Sequence, residues 1–451
     1  VKTKQITWLR ACDQDAVLPA HHSLHFRVHT KVLVTLAVAL LVVTLAFAEP
    51  AHRTLLREAQ AAAKAQKIPE AIALLERAAK FAPDYPRLHW NLARFYAEQG
   101  RHADALHALR TLADMGLVDA IDRDPALTSL RGLPEFADLA TAFQINAQSV
   151  GSADSSAWAI TGVTGIIESV AMHPTTLESF FGDVHHRCIW YRDVSGPSAV
   201  LKRFSADTDG LLGVFALKFS PDGNTLWASS SALPEMAGYT EGDKGRALLA
   251  AYDLATRKLR RTFSLPADGQ GHVLGDFAIA PDGAIYASDS TAPIVWRLAP
   301  GADTLEKWAG YPWFVSLQGV TLSADGKILY VADYANGIWR IDTATKEAMV
   351  LKAPTKSTLF GIDGLYSAPG ALIAVQNGVN PARVLRIDLT AAGEVKSVRV
   401  LVQGHPKMTD VALGQIVNGN LHFVADSGWS LFEKPGSAPA PRNVIILSTP
   451  L

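Results

Sequence analysis

Three stretches of the chain repeat one another: Phe219-Ser-Pro-Asp-Gly-Asn-Thr-Leu-Trp227, Ile279-Ala-Pro-Asp-Gly-Ala-Ile-Tyr286 and Leu322-Ser-Ala-Asp-Gly-Lys-Ile-Leu-Tyr330. Each predicts two short β-strands joined by a tight turn, because apolar and aromatic residues flank an Asp-Gly pair. We expect a two-residue hairpin turn in which this pair supplies the positive φ. One hairpin cannot bury both of its faces, so the repetition predicts several sheets that pack against one another.

Glycines at matching places in these stretches and beyond them set the spacing of the repeat: Gly223, Gly283, Gly326, Gly370 and Gly419, which are 43 to 60 residues apart. This spacing is typical of four-stranded sheets arranged radially in a β-propeller. Residues 155–451 have room for six blades of roughly 45 to 50 residues. The sequence therefore predicts a mainly β protein with a six-bladed propeller, whose first blade begins near Gly165 and whose last begins near Met408.

Residues 49–145 show helical periodicity instead. Four small or apolar residues recur 34 residues later: Ala59, Ala71, Leu75 and Ala78 return as Ala93, Ala105, Leu109 and Leu112. This period is that of the tetratricopeptide helix pair, so we predict an α-helical N-terminal domain of two such units, capped by a further short helix within 122–139. Two interpretations stay open: the repeats dock on the propeller, or they bind a protein partner.

Residues 1–48 predict a leader that ends in a secretory signal peptide. Lys31 precedes an apolar run that reaches Ala48, where we expect cleavage. The mature protein would then be periplasmic or secreted, with no stable membrane association; the alternative is an uncleaved N-terminal anchor. The two cysteines, Cys12 and Cys188, fall on opposite sides of the cleavage point, so no internal disulfide forms and Cys188 is predicted to be a buried structural thiol.

Composition limits the classes of partner. The chain is 49% hydrophobic, and its 42 basic and 43 acidic residues give a net charge of −1. A large core can therefore form, whereas the absence of a basic excess argues against binding to nucleic acid.

Polar residues stand just before the predicted innermost strands: Glu168, Asp276, Gln318, Asp363 and Asp410. A propeller gathers the starts of these strands around one end of its central channel, so we expect these side chains to converge. Carboxylates that converge raise one another's pKa unless a positive charge lies among them, and oxygen ligands suit calcium or magnesium. The alternative is that the acids cap strand ends or bond to backbone amides. His185, at a predicted strand end, is a further candidate for the pocket, whereas Asn377-Gly378 predicts a type I′ turn.

On these residues, the region from about 155 to 450 resembles the six-bladed gluconolactonase and regucalcin-like propellers, including their strictosidine-synthase-like relatives. The resemblance rests on four stretches: Glu168-Ser-Val, Leu274-Gly-Asp276 with Ala-Pro-Asp-Gly283, Gln318-Gly-Val with Ser-Ala-Asp-Gly326, and Gly361-Ile-Asp-Gly364. In lactonases of that family a glutamate, an asparagine and an aspartate bind one divalent cation, and an Asn-Asp pair contacts substrate.

The resemblance implies a metal site made of Glu168, Gln318 and Asp363, in which Gln318 replaces the asparagine by a longer amide. Calcium is the cation we expect first, with zinc and magnesium as alternatives. Gly275-Asp276 stands where the family has Asn-Asp, so the substrate-contacting amide is missing.

The sequence thus predicts an exported, divalent-metal-dependent hydrolase-like propeller that opens a lactone or small cyclic ester. Asp363 or Asp276 would activate water, and Asp276, His185 and Asp410 would contact the small-molecule substrate. The alternative function is a non-catalytic scaffold of propeller and helical repeats for protein–protein interaction in the cell envelope.

Overall fold

The computed structural model describes residues 50–151, 158–192, 201–434 and 436–451. The predicted signal peptide and Cys12 lie outside these ranges. None of the helices in the described ranges combines the length and the apolar character needed to cross a bilayer.

The N-terminal domain is a stack of helices, and its bounds are α1 Ala51–Lys64, α2 Ile68–Phe81, α3 Pro86–Glu98, α4 His102–Asp114, a 3₁₀ helix Pro125–Leu130 and α5 Pro134–Asn146. The eight residues that recur at an offset of 34 are all buried, with exposed fractions of 2% or less. Prolines in the first turn help to begin α2, α3 and α5, because that turn has no intrahelical use for their missing N–H. The predicted repeats are confirmed, and in place of the one short capping helix predicted within 122–139 the structure has two helices, the 3₁₀ helix and α5.

Six antiparallel four-stranded sheets follow, so the predicted six-bladed propeller is confirmed. The strands of the first three blades, from the innermost outward, are β2 Ile167–Met172, β3 Ser179–Asp183, β4 Cys188–Arg192 and β5 Lys202–Arg203; β6 Gly213–Phe219, β7 Thr225–Ser231, β8 Ala247–Asp253 and β9 Lys258–Ser264; and β10 Leu274–Ile279, β11 Ile285–Asp289, β12 Ile294–Leu298 and β13 Glu306–Gly310.

Blades 4 and 5 have the same order, with β14 Leu317–Leu322, β15 Ile328–Asp333, β16 Gly337–Asp342 and β17 Ala348–Val350, then β18 Ile362–Ala368, β19 Ala371–Gln376, β20 Arg383–Leu389 and β21 Val395–Gln403. Blade 6 combines both ends of the propeller: β22 Gly414–Val417, β23 Asn420–Val424, β24 Arg442–Pro450 and, as its outermost strand, β1 Trp158–Val163. The pairing of β1 with β24, which our sequence prediction did not include, closes the ring with main-chain hydrogen bonds.

The Asp-Gly turns differ from the prediction. In the first of them Gly223 N donates to Ser220 O at 2.8 Å, and Ser220 N donates to Thr225 O at 2.8 Å, so five residues join β6 to β7. Gly223 takes a φ of +73°, but Asp222 has no positive φ. The two-residue turn was therefore the wrong interpretation: the aspartate instead accepts a hydrogen bond from Asn224 N at 3.1 Å, and the glycine alone needs the left-handed conformation.

Three blades are braced by an aspartate at the end of their second strand. Asp183, Asp289 and Asp333, which we call the blade aspartates, accept hydrogen bonds from the indoles of Trp190, Trp296 and Trp339 at 2.9, 3.1 and 3.4 Å. All three carboxylates are buried. Opposite Asp183 on β4 lies Cys188, fully buried as predicted, and burial raises the pKa of its thiol.

Candidate functional site

The innermost strands of four blades share one irregularity at their starts. In each, the first residue pairs with the last residue of the second strand, and the ladder then shifts register: Ile167 with Asp183, Leu274 with Asp289, Leu317 with Asp333 and Ile362 with Gln376. A bulge leaves the next residue outside the regular pairing. Glu168, Gln318 and Asp363 therefore occupy equivalent places, whereas Asp276 lies one residue further along its strand, beyond Gly275.

Three of the predicted acids act electrostatically on one buried tyrosine. Tyr366, on β18, is 8% exposed, and its Oη accepts a hydrogen bond from Gly414 N at 2.7 Å. A Cβ atom added to Gly364 would lie 2.6 Å from this Oη, which places the phenol directly against the residue after Asp363. Burial, followed by the negative charges of Asp276, Asp363 and Glu168, raises the pKa of Tyr366. The negative charges of acids from blades 1, 3 and 5 thus act on one buried phenol; we call Glu168, Asp276 and Asp363 the channel acids.

Asp276 has a positive partner that our sequence reasoning missed. Its Oδ1 lies 2.9 Å from Lys218 Nζ and accepts from its neighbour Phe277 N at 2.8 Å, while its Oδ2 accepts from Val320 N at 3.0 Å. Burial raises the pKa of Asp276, and the charge and hydrogen bond of Lys218 oppose that rise. Asp276 therefore ties blades 2, 3 and 4 together. The sequence feature that could have predicted this partner is a lysine inside an otherwise apolar innermost strand, Phe-Ala-Leu-Lys218-Phe.

Glu168 and Asp410 are connected through Trp429, in the 3₁₀ turn Trp429–Phe432 between β23 and β24. The indole Nε1 donates to the Glu168 carboxylate, and the Trp429 backbone N donates to Asp410 Oδ2 at 2.7 Å. The sequence carries no signal for this contact, because Glu168 and Trp429 are 261 residues apart.

His185 supports the same loop. Its ring centroid lies 4.5 Å from that of Phe432, and its Nδ1 is 2.6 Å from Glu235 O, in the connection between β7 and β8. His185 thus holds two connections in contact at the end of the propeller where the innermost strands begin.

Asp363 is held by Asn377, whose Nδ2 donates to Asp363 Oδ2 and also to Val411 O at 2.8 Å. Asn377 is 4% exposed, and its Oδ1 accepts from Tyr334 Oη at 3.2 Å. Neither Asn377 nor Gly378 has a positive φ, so the predicted type I′ turn is wrong. The asparagine is a buried bridge between blades 5 and 6, which its Asn-Gly context concealed.

Gln318 bonds to serines on both sides of its amide. Its Nε2 donates to Ser316 Oγ at 2.9 Å, and its Oε1 lies 3.5 Å from Ser290 Oγ. Within the described ranges no group of three or more His, Cys, Asp or Glu residues is arranged to hold a metal ion. The predicted set of Glu168, Gln318 and Asp363 consists of two carboxylates and an amide, and these donors suit a hard cation in kind.

The helical repeats dock on blade 5, beside Asp363. Val118 N donates to Asn380 O at 2.6 Å, and Asn380 Nδ2 donates back to Val118 O at 3.0 Å. The ring of Phe360, three residues before Asp363, stacks on Tyr85 with centroids 4.3 Å apart. The segment that leads into Asp363 and the segment that follows its partner Asn377 are therefore both anchored to the helical domain.

Arg383 strengthens this junction. Its guanidinium donates to Met115 O, just beyond α4, at 3.0 Å and to Gln376 Oε1 at 2.6 Å. Burial lowers the pKa of Arg383 to about 10.

Comparisons with known proteins agree with this architecture. Residues 62–120 match the tetratricopeptide repeat family. No curated protein sequence matches the chain.

Among solved structures, a provisional gluconolactonase is similar at 18% identity with a TM-score of 0.42, covering 70% of this chain and 97% of its own. A PQQ-bound aldose sugar dehydrogenase from Streptomyces coelicolor is similar at 14% identity with a TM-score of 0.41, covering 67% of this chain and 99% of its own. A virginiamycin B lyase from Staphylococcus aureus is similar at 13% identity with a TM-score of 0.42, covering 66% of this chain and 99% of its own. At these identities the likenesses say nothing about what this chain binds.

Proposed function

We propose that the protein is a divalent-metal-dependent hydrolase of the propeller type that opens a lactone or small cyclic ester. The observation that carries this proposal is that Glu168, Gln318 and Asp363 occupy equivalent bulges where their innermost strands begin, at one end of the channel. These residues offer two carboxylates and an amide, which are oxygen donors of the kind that a hard divalent cation takes.

Glu168, Gln318 and Asp363 would hold the cation, whose chemistry when bound is to polarise a carbonyl oxygen. We assign the general base to Asp363. Asp276 is the weaker candidate, because both of its oxygens accept hydrogen bonds from Lys218 and two backbone amides. Asp410 and His185 would contact substrate from the adjoining connections.

The test is the melting temperature of the chain from Glu49 onward, measured with calcium and with EDTA, followed by a lactone hydrolysis screen. Calcium should raise the melting temperature of the wild type, as a ligand of the native state does. Glu168→Gln and Asp363→Asn should lose that shift. A matched control is Asp282→Asn, because Asp282 bonds to Ala284 N in the turn at the opposite end of blade 3. A wild type that binds no calcium, zinc or magnesium would refute the metal site.

Export is part of the proposal and rests on residues 31–48 alone. Cell fractionation, with N-terminal sequencing of the mature protein, tests it. A cytoplasmic chain that retains residues 31–48 would contradict it, and a membrane-bound chain that retains them would favour the uncleaved anchor.

The second candidate is a scaffold in the cell envelope, favoured by the tetratricopeptide match. Phe81, at the end of α2, is 63% exposed and offers an apolar contact. Cross-linking in envelope preparations, with Phe81→Glu as the comparison, would support this function if a specific partner is lost in the variant and the lactone screen is negative.

A further inference from the structure

Two hydrogen-bond donors in the channel have capacity that the contacts described above do not use. Lys218 Nζ carries three N–H groups, and within the described ranges its one ion-pair partner is Asp276. The ammonium lies 5.8 Å from the ring centroids of both Phe277 and Tyr366. Its side chain is 23% exposed, which makes it far more accessible than the Asp276 side chain at 2%. Lys218 can therefore donate further hydrogen bonds toward the channel.

Tyr366 is the second donor. Its Oη accepts from Gly414 N, and the described part of the chain places no acceptor on its phenolic hydrogen. The residue is only 8% exposed. A buried donor left unpaired costs about 1–3 kcal/mol, so an oxygen atom in the channel is expected to accept this hydrogen.

We propose that Lys218 and Tyr366 form a binding site for one carbonyl oxygen of an uncharged ligand. Both groups donate, and the Lys218 ammonium lies 5.8 Å from the centroid of the Tyr366 ring, so a carbonyl oxygen placed between them can accept from both and be polarised. An uncharged ligand fits better than a carboxylate, because the Lys218 ammonium already balances the negative charge of Asp276. A lactone has such a carbonyl, whereas its hydrolysis product is a carboxylate.

This inference takes the class of reaction from the proposed function, but the binding site itself does not depend on a cation. The competing explanation is that Lys218 only balances the charge of Asp276 and packs between two rings. That explanation predicts a loss of stability in Lys218 variants and no specific effect on ligand binding.

The experiment measures binding of two lactams, glucono-δ-lactam and δ-valerolactam, by isothermal titration calorimetry in EDTA. A lactam presents the carbonyl of a lactone and resists hydrolysis. The wild type should bind at least one of them, Lys218→Met should weaken binding about tenfold, and Tyr366→Phe should weaken it several-fold. The matched control is Lys346→Met, because Lys346 also lies near an aromatic ring, 5.7 Å from the centroid of Trp308, but is exposed.

A single Lys218 variant could lose binding only because it fails to fold. The control is the double variant Lys218→Met with Asp276→Asn, which removes both members of the ion pair together. It should stay folded by circular dichroism and still bind lactam about tenfold more weakly than the wild type. No binding to the wild type, or equal affinities for Lys218→Met and Lys346→Met, would overturn the proposal.

Glu168→Gln and Asp363→Asn separate this site from the proposed metal site. Both variants should lose the calcium-dependent shift in melting temperature and keep lactam binding in EDTA. Lactam binding in a protein that binds no cation would leave the carbonyl site standing and refute the metal-dependent reaction. A calcium-dependent shift in melting temperature without lactam binding would leave the metal site standing and refute the carbonyl site.

Discussion

Two sets of acidic residues lie at the same end of the propeller and differ in what they bond to. The blade aspartates Asp183, Asp289 and Asp333 each bond to a tryptophan of their own blade. Among the channel acids, Glu168 bonds to Trp429 of blade 6, and Asp276 bonds to Lys218 of blade 2 and Val320 of blade 4. Asp363 bonds to Asn377 of its own blade, which in turn bridges to Val411 at the start of blade 6. An acid at a strand end therefore stabilises one blade when its partners are local, and is available for a shared site when its bonds lead to other blades.

Blade 5 departs from the first pattern in an informative way. Gln376 and Arg383 stand where blades 1 and 3 have aspartate and tryptophan, with the same separation of seven residues. Arg383 also donates to Met115 O, outside its own blade. The pair of residues that braces a single blade in blades 1 and 3 therefore attaches the helical domain in blade 5.

The largest expected effect is that of Asp289→Ala. This carboxylate accepts from His272 Nδ1 at 2.6 Å, from the Trp296 indole and from the amides of Val273 and Ala292 at 3.1 Å each. Removing one partner of a buried charged network typically costs about 3–5 kcal/mol, and we expect that loss in urea unfolding.

The control for this variant is the turn residue Asp282, whose replacement by alanine should cost less than about 1 kcal/mol. Equal losses for the two variants would remove the distinction between blade aspartates and other acids.

Arg383→Met should have the next largest effect. It leaves Met115 O and Gln376 Oε1 without a buried donor, which costs about 1–3 kcal/mol. Hydrogen exchange should accelerate in α4 and in residues 376–383 and stay unchanged in blades 1 to 3. Lys356→Ala is the comparison, because its ion pair with Asp114 joins the same domains at the exposed surface. Unchanged exchange in the Arg383 variant would show that the helical domain is held by other contacts.

Asp363→Asn should change stability by less than about 1 kcal/mol, because the amide can still accept from Asn377, yet it should abolish the calcium-dependent shift in melting temperature. A loss of stability as large as that of Asp289→Ala, with or without calcium, would place Asp363 among the structural acids.

The smallest effect concerns pH and His272, whose Nδ1 and Nε2 lie 2.6 and 3.0 Å from Asp289 and Asp268. The hydrogen bond to Asp289 raises the pKa of His272 against the opposing effect of burial. Folding therefore favours the protonated ring, and this stabilisation is present below the unfolded pKa of about 6.5 and is lost as the pH rises through the folded pKa.

The difference in unfolding free energy between the wild type and His272→Gln should accordingly shrink from pH 6 to pH 9. Parallel stability curves for the two proteins across that range would contradict this.

Much of the fold was predictable from short-range signals. The 34-residue offset that links Ala71 to Ala105 marks equivalent buried positions, because equal helix pairs pack in equal ways. The Asp-Gly stretches predicted the hairpins correctly. They predicted the wrong type of turn, because the aspartate accepts a hydrogen bond within a turn longer than two residues. For the site, the blade period located Glu168, Gln318 and Asp363 at equivalent bulges, but not the partners that surround them.

The amino-acid sequence by itself determined the helical pairs, the repeated hairpins, the number of blades and which innermost strands begin with an acid or amide, because each depends on residues close together in the chain. Only the tertiary structure decided that β1 closes blade 6, that Lys218 meets Asp276, that Trp429 reaches Glu168 and that the helical repeats hold the loop beside Asp363. Those contacts join segments 58 to about 290 residues apart, and no local periodicity records which distant side chains a closed ring will bring into one channel.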